Sequence, residues 1–126
     1  AFAYARATVP RVCVTLRKSY GGAYIVMDSR YMGNDLMLAW PTAEIAVMGA
    51  KGAVEILHRQ ADEDERAALV AAYEERLLNP YIAAERGTVD RVIDPSETRK
   101  ELTNALMLLS GKRERLPRRR HDNTPL

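Results

Sequence analysis

With 126 residues, 47% hydrophobic and 29% charged, the chain has the size and balance of one folded domain with a real core. No apolar run approaches the roughly 20 residues that a membrane-spanning helix needs, so a transmembrane reading is excluded, and so is a disordered one. The single cysteine, Cys13, can close no internal disulfide and has no second thiolate to share a zinc ion, which excludes a cystine scaffold and points to a reducing cytoplasm.

The net charge of +2 conceals an asymmetry: residues 1–111 carry 13 basic and 15 acidic groups, whereas residues 112–126 carry 6 and 2. The chain therefore divides into a body, 1–111, and a basic C-terminal tail, 112–126. Arginine forks match phosphate oxygens, but no aromatic residue interleaves with these arginines and no reading helix accompanies them. A solvated or partner-docked tail is expected, not nucleic-acid binding. The opening residues contain neither an initiator methionine nor a basic-then-apolar leader, and are expected to continue a longer chain.

In chain order, residues 2–8 read as the end of a helix stopped by Pro10, because proline lacks an amide hydrogen and restricts its predecessor. The β-branched apolar run at 12–16 predicts a short strand covered on both faces. It leads through Arg17, Lys18, Ser19 and Tyr20 into a turn at Gly21 and Gly22 and a helix reaching Met27. After a loop at 29–35, the apolar segments 36–40 and 43–48 are strand-like, with Pro41 between them. Gly49, Ala50, Lys51 and Gly52 open a helix to about Leu57, so strand, glycine turn and helix occur twice.

Asp62, Glu63, Asp64 and Glu65 put negative charge at the positive end of a long helix, whose Leu69, Tyr73 and Leu77 mark one face. Asn79 and Pro80 end it, another turn or two follows over 81–85, and Gly87 is placed to close that piece. Residues 88–93 form a short strand or extended edge. Asp94, Pro95, Ser96 and Glu97 resemble a capping box with proline at the first helical position. The helix they open carries Leu102, Ala105, Leu106 and Leu109 at 3.6-residue spacing and ends at Ser110 and Gly111. Alternating strands and helices define an α/β layered fold, and the small number of strands predicts a sheet completed by further chain.

The stretch Ser19, Tyr20, Gly21, Gly22, Ala23, Tyr24 carries the strongest chemical signal. Glycines allow a sharp turn, and the first amides of the following helix lack intrahelical acceptors. Fixed in advance of the reaction, the main-chain amides of Gly22 and Ala23 could stabilise a developing oxyanion, an effect worth about 2.7 to 4 kcal/mol per donor. A tight turn needed only for packing would leave the same pattern. His58 and His121 have no serine or cysteine partner in a nucleophile elbow, and Cys13 reads as a small buried hydrophobe. The acidic cluster at 62–65 lacks the glycine turn of a calcium loop, and Gly49 to Gly52 falls short of a phosphate-binding loop, leaving Lys51 as a surface charge and no metal site.

Along its whole length the chain resembles the C-terminal quarter of the carboxyltransferase β subunit of biotin-dependent acyl-CoA carboxylases of the propionyl-CoA and acetyl-CoA type. The resemblance rests on residues 17–24, on 39–54, on 79–81 and 84–93, and on His121, Asn123, Pro125 and Leu126, with Asp122 where a glycine is usual. It implies a crotonase-like (ClpP/crotonase) fold, of which this chain is the C-terminal part of the second carboxyltransferase domain. It further implies that biotin, as carboxybiotin on a separate carrier protein or subunit, enters a site shared with the N-terminal domain of a partner subunit.

On that resemblance, the Gly22 and Ala23 amides form the oxyanion hole for the biotin ureido oxygen, while the hole for the thioester lies outside this chain. Tyr24 and Ile25 belong to the acyl pocket, and Ile25 stands where propionyl-specific members carry Asp, implying shifted acyl-chain choice. The implied partners are an acyl-CoA substrate, the biotin carboxyl carrier or biotin carboxylase α subunit, the missing N-terminal portion, and further copies in a homo-oligomer, hexameric in the full-length family. The isolated 126 residues are expected to be inactive. Two other readings use the same residues: a biotin-dependent acyl-CoA decarboxylase subunit of the same fold, or a non-catalytic interaction module with a basic tail.

Overall fold

A computed structural model describes residues 2–116. The final tail residues, including the arginines at 118–120 and His121, lie outside the described residues. The chain opens with α1 (Phe2–Arg6), followed by β1 (Val12–Thr15), β2 (Lys18–Tyr20) and α2 (Gly21–Val26). A single 3-10 turn, Arg30–Met32, leads to β3 (Leu36–Ala39) and β4 (Glu44–Ala46). Then come α3 (Ala50–Leu57), α4 (Glu63–Leu77), α5 (Pro80–Glu85), β5 (Arg91–Val92) and α6 (Thr98–Leu108).

The strands form two parallel sheets, one ordered β1-β3-β5 and the other pairing β2 with β4. The apolar run at 12–16 therefore does not flow into the glycine turn as one strand: the chain leaves the first sheet after Thr15 and joins the second at Lys18. The strand sealed on both faces is β3, central in its sheet, with Met37, Leu38 and Ala39 each 0% exposed. β1 is half-buried except at Thr15, because it lies at the sheet's edge among the described residues. Met37, Ala39, Ala43, Ile45, Ala83 and Val89 form the core cluster, with Cys13 and Tyr24 packed against it.

The caps follow the local chemistry of the chain. Asp62 accepts from the Glu65 amide at 2.8 Å at the start of α4, and Asn79 accepts from the amides of Tyr81 and Ile82, each at 3.1 Å, with Pro80 opening α5. Asp94 caps too, but its carboxylate takes the Ser96 amide at 2.8 Å and Pro95 opens a 3-10 turn, so α6 proper begins only at Thr98. On α6 the buried positions are Glu101 and Ala105, with Leu102 and Leu109 half-buried, whereas Leu106 is 50% exposed, against the spacing-based expectation. Leu106 sits one position beyond Ala105, about 100° around the helix and off the face that meets the sheet. Lys112, first residue of the basic tail, donates to the Val9 carbonyl at 3.2 Å and to Asp35 at 2.9 Å, docking that end of the segment on the body.

Candidate active site

Strand β2 ends at Tyr20 and α2 begins at once, so the glycine pair is the helix's first turn rather than a loop before it. Gly21 makes this junction possible: its φ is +61°, and a Cβ there would stand 3.2 Å from the Val47 carbonyl oxygen. Gly22 differs, since a Cβ there would meet nothing within 4 Å. Gly22 and Ala23 are both exposed, and in the first turn their amides have no helical acceptor four residues back. Among the described residues, neither amide donates to a carbonyl of the surrounding loops.

Beside this turn lies a cavity of about 410 Å³, within the range of small-molecule sites. Gly22, Tyr24 and Ile25 line it; Ala23 does not. Sequence reasoning missed the remaining walls. Tyr31 comes from the 3-10 turn, Tyr73 and Leu77 from α4, and Arg86 and Thr88 from the end of α5 and beyond. The expected apolar face of α4 was a signal for two of these, since Tyr73 and Leu77 lie on it. Nothing local marks Tyr31, Arg86 or Thr88. Arg86 is the single charged residue among those lining the cavity.

Tyr24 anchors the inner wall. Burial, with Tyr31 and Cys13 nearby, pushes its phenol above the usual range, while the Arg30 charge opposes the shift. Its hydroxyl is buried without a hydrogen-bond partner among the described residues, and the Thr88 hydroxyl donates to the Ala83 carbonyl at 2.8 Å. Ile25, 42% exposed, offers an aliphatic surface to the cavity. Cys13 is a half-buried free thiol whose Sγ contacts the Met27 carbonyl at 3.8 Å; burial, and then Asp28, raise its pKa, so it is no ready thiolate. His58 ends α3 on the exposed surface, and Lys51 is exposed as expected.

The model of the carboxyl transferase domain family matches residues 1–124. The chain belongs to the carboxyl transferase domain family. It is 55% identical over 135 aligned residues to the propionyl-CoA carboxylase beta chain of Saccharopolyspora erythraea, covering 99% of this chain and 25% of that protein. It is 54% identical to the biotin-dependent acetyl-/propionyl-coenzyme A carboxylase beta5 subunit of Mycobacterium leprae, with the same coverages. Among solved structures it is similar to the transcarboxylase 12S hexamer crystallised with methylmalonyl-coenzyme A and methylmalonic acid. The TM-score is 0.94 at 46% identity, covering 99% of this chain and 24% of that one. The fold of this carboxyl transferase chain is accordingly crotonase-like, as its resemblance implied. The chain spans about a quarter of the length of the curated relatives it matches. No helix among the described residues is long and apolar enough to cross a membrane.

Proposed function

We propose that this chain is the part of a biotin-dependent acyl-CoA carboxyltransferase that receives carboxybiotin, in an enzyme moving a carboxyl group to the α-carbon of a short or medium acyl-CoA. The observation that carries the reading is the meeting of the first turn of α2, where Gly22 faces open space, with the largely apolar cavity beside it. A compact ring with one polar edge fits that combination: apolar walls for its body and main-chain donors for its oxygen. When bound, carboxybiotin supplies a carboxyl group at the oxidation level of CO₂.

The chain's own residues then have three tasks. The Gly22 and Ala23 amides hold an oxygen that gains negative charge, and being fixed by the helix they need no reorganisation as that charge develops. Ile25 and Leu77 exclude water and bury aliphatic carbon. Tyr24 braces the turn from inside, its ring packed against the core. No side-chain nucleophile is required, in keeping with the half-buried Cys13 thiol, whose pKa is raised, and the exposed His58. The remaining chain of a full-length subunit supplies the rest of the site, a biotin carboxyl carrier or biotin carboxylase subunit delivers the cofactor, and copies associate in a homo-oligomer in the cytoplasm.

The test is Gly22→Pro in the full-length subunit. Proline is tolerated in the first turn of a helix and carries no amide hydrogen, so one donor is lost, and circular dichroism with oligomer size checks that the subunit still folds and assembles. Carboxyl transfer is expected to fall by roughly 10²- to 10³-fold in kcat. A correctly assembled variant with undiminished transfer would overturn the reading.

A further inference from the structure

Tyr31 borders the cavity and meets Tyr24 edge-on, with ring centroids 6.4 Å apart and planes at 85°. Yet Tyr31 is 65% exposed and belongs to a single 3-10 turn, so core packing does not hold it there. What ties the turn down is Arg11, in the segment entering β1. Its Nη1 donates to Asp28 Oδ1 at 2.7 Å, to the Tyr4 carbonyl at 2.8 Å and to the Met32 carbonyl at 3.2 Å. Its Nη2 donates to the carbonyls of Met32 at 3.3 Å and Gly33 at 2.5 Å.

One planar cation thus grips the turn from both sides, at Asp28 before Tyr31 and at Met32 and Gly33 after it. The Arg11 and Asp28 side chains are 9% and 10% exposed, so removing either takes from a buried charge its directly paired counter-charge. Asp28 is also the non-glycine residue with positive φ among the described residues, at 65°, and the buried Asn34 side chain donates to its carbonyl at 2.9 Å. A residue held in this sparsely populated region needs surroundings that fix it. None of the Arg11 contacts reaches the cavity itself.

We propose that Arg11 is a positioning residue that sets the Tyr31 wall of the cavity, and through it the length of acyl chain the enzyme accepts. This rests on the proposed reading of the cavity as the place where the biotin ring, held at the Gly22 end, meets the acyl group of the substrate, bordered by Ile25 and Tyr31. A residue serving stability alone would lower all activities in proportion. A residue that places one wall changes the ratio between substrates.

The experiment compares acetyl-, propionyl- and butyryl-CoA turnover by the full-length enzyme and by Arg11→Met, Arg11→Lys, Asp28→Asn, Tyr31→Ala and the Arg11→Met/Tyr31→Ala pair. Arg11→Met is expected to change the butyryl-to-propionyl ratio of kcat/KM by about tenfold, mainly through KM, the scale on which pockets discriminate one methylene. Arg11→Lys restores part of the ratio, because an ammonium reaches fewer of the same acceptors. In the Tyr31→Ala background the Arg11 change has no further effect on the ratio, the wall already being gone. Asp28→Asn gives a smaller shift in the same direction, since asparagine tolerates positive φ and its side-chain oxygen still accepts from Arg11; Arg11→Lys, which keeps a cation beside Asp28, carries the test if Arg11→Met does not fold. Ratios within about twofold of the parent, or full additivity in the double variant, overturn the inference. A parent that transfers carboxyl to none of the three substrates overturns the functional reading and this inference with it, whereas an active parent with unmoved ratios overturns only the latter.

Discussion

Tyr20 and Glu44 are joined across the β2–β4 pair, the Tyr20 hydroxyl donating to the Glu44 carboxylate. Glu44 is paired in register with Lys18, two residues before Tyr20, so the two side chains share one face of the sheet on a diagonal. Tyr20 is also the last residue before α2, which makes this bond a fixed point for the first turn of that helix.

Burial, the hydrogen bond to Glu44, and the charges of Glu44 and then Glu74 push the Tyr20 phenol up from 10.0 to about 12. The folded protein therefore holds this proton more tightly than the unfolded chain does. The stability so contributed is complete below about pH 10 and is lost as pH rises toward about 12. Alkaline unfolding followed by circular dichroism should show this loss, and Tyr20→Phe should flatten it while lowering stability at neutral pH by about 1 kcal/mol.

The two adjacent glycines should respond oppositely to alanine. Gly21→Ala places a Cβ at positive φ and 3.2 Å from the Val47 carbonyl, so a loss of about 1 to 3 kcal/mol is expected. Gly22→Ala enters open space at an ordinary backbone angle in a helix, so it should be neutral or stabilising by up to about 1 kcal/mol. Thermal unfolding of the two variants checks the pair, and equal losses would contradict the described geometry.

Features settled by neighbouring residues were legible in the sequence. The Asp62 cap, the break between α4 and α5 at Asn79 and Pro80, the left-handed Gly87 with φ +72° and the presence of a helix at the glycine pair all need only a few residues of context, although that helix already begins at Gly21 and α5 at Pro80. Choices made by distant partners were not. Lys18 pairs with Glu44 while Thr15 pairs with Ala39, and no signal between residues 15 and 18 says that the chain changes sheets there. The Arg11–Asp28 and Tyr20–Glu44 pairs join residues 17 and 24 positions apart, without periodicity to betray them. Leu106, Met107 and Leu108, at 50%, 69% and 83% exposed, carry apolar character that the described residues do not use. At the candidate site, Gly22, Tyr24 and Ile25 could be read because they fall in one short segment, whereas Tyr31, Arg86 and Thr88 reach the cavity from separate parts of the chain.

Asp35 links the start of β1 to the tail. Its carboxylate accepts from the Arg11 amide at 2.8 Å and from Lys112 at 2.9 Å. Burial by itself would raise its pKa, but the hydrogen bonds from Lys112 and Arg11 and their positive charges outweigh it and hold the carboxyl below its ordinary 3.8. A lowered carboxylate contributes stability that is complete above the unfolded value and lost as pH falls through the folded one. Lys112→Met should raise the Asp35 pKa toward 3.8, seen in a carboxyl-carbon NMR titration, and move the acid unfolding midpoint to higher pH. An unmoved titration would mean that the tail does not dock in solution.

Ile25 supplies the last test, because it lines the cavity yet remains 42% exposed, so a polar replacement does not force a buried charge. Ile25→Asp in the full-length enzyme should weaken turnover of the longer acyl chain most, since each methylene loses up to about 0.8 kcal/mol of burial, or about fourfold in kcat/KM. The butyryl-to-propionyl ratio should fall and the propionyl-to-acetyl ratio should fall with it. The effect belongs in KM if Ile25 contacts substrate equally in the ground and transition states, which separates it from a Gly22 amide lesion that lowers kcat. Ratios that stay constant across all three substrates would remove Ile25 from the acyl site while leaving the oxyanion role of the first turn of α2 untouched.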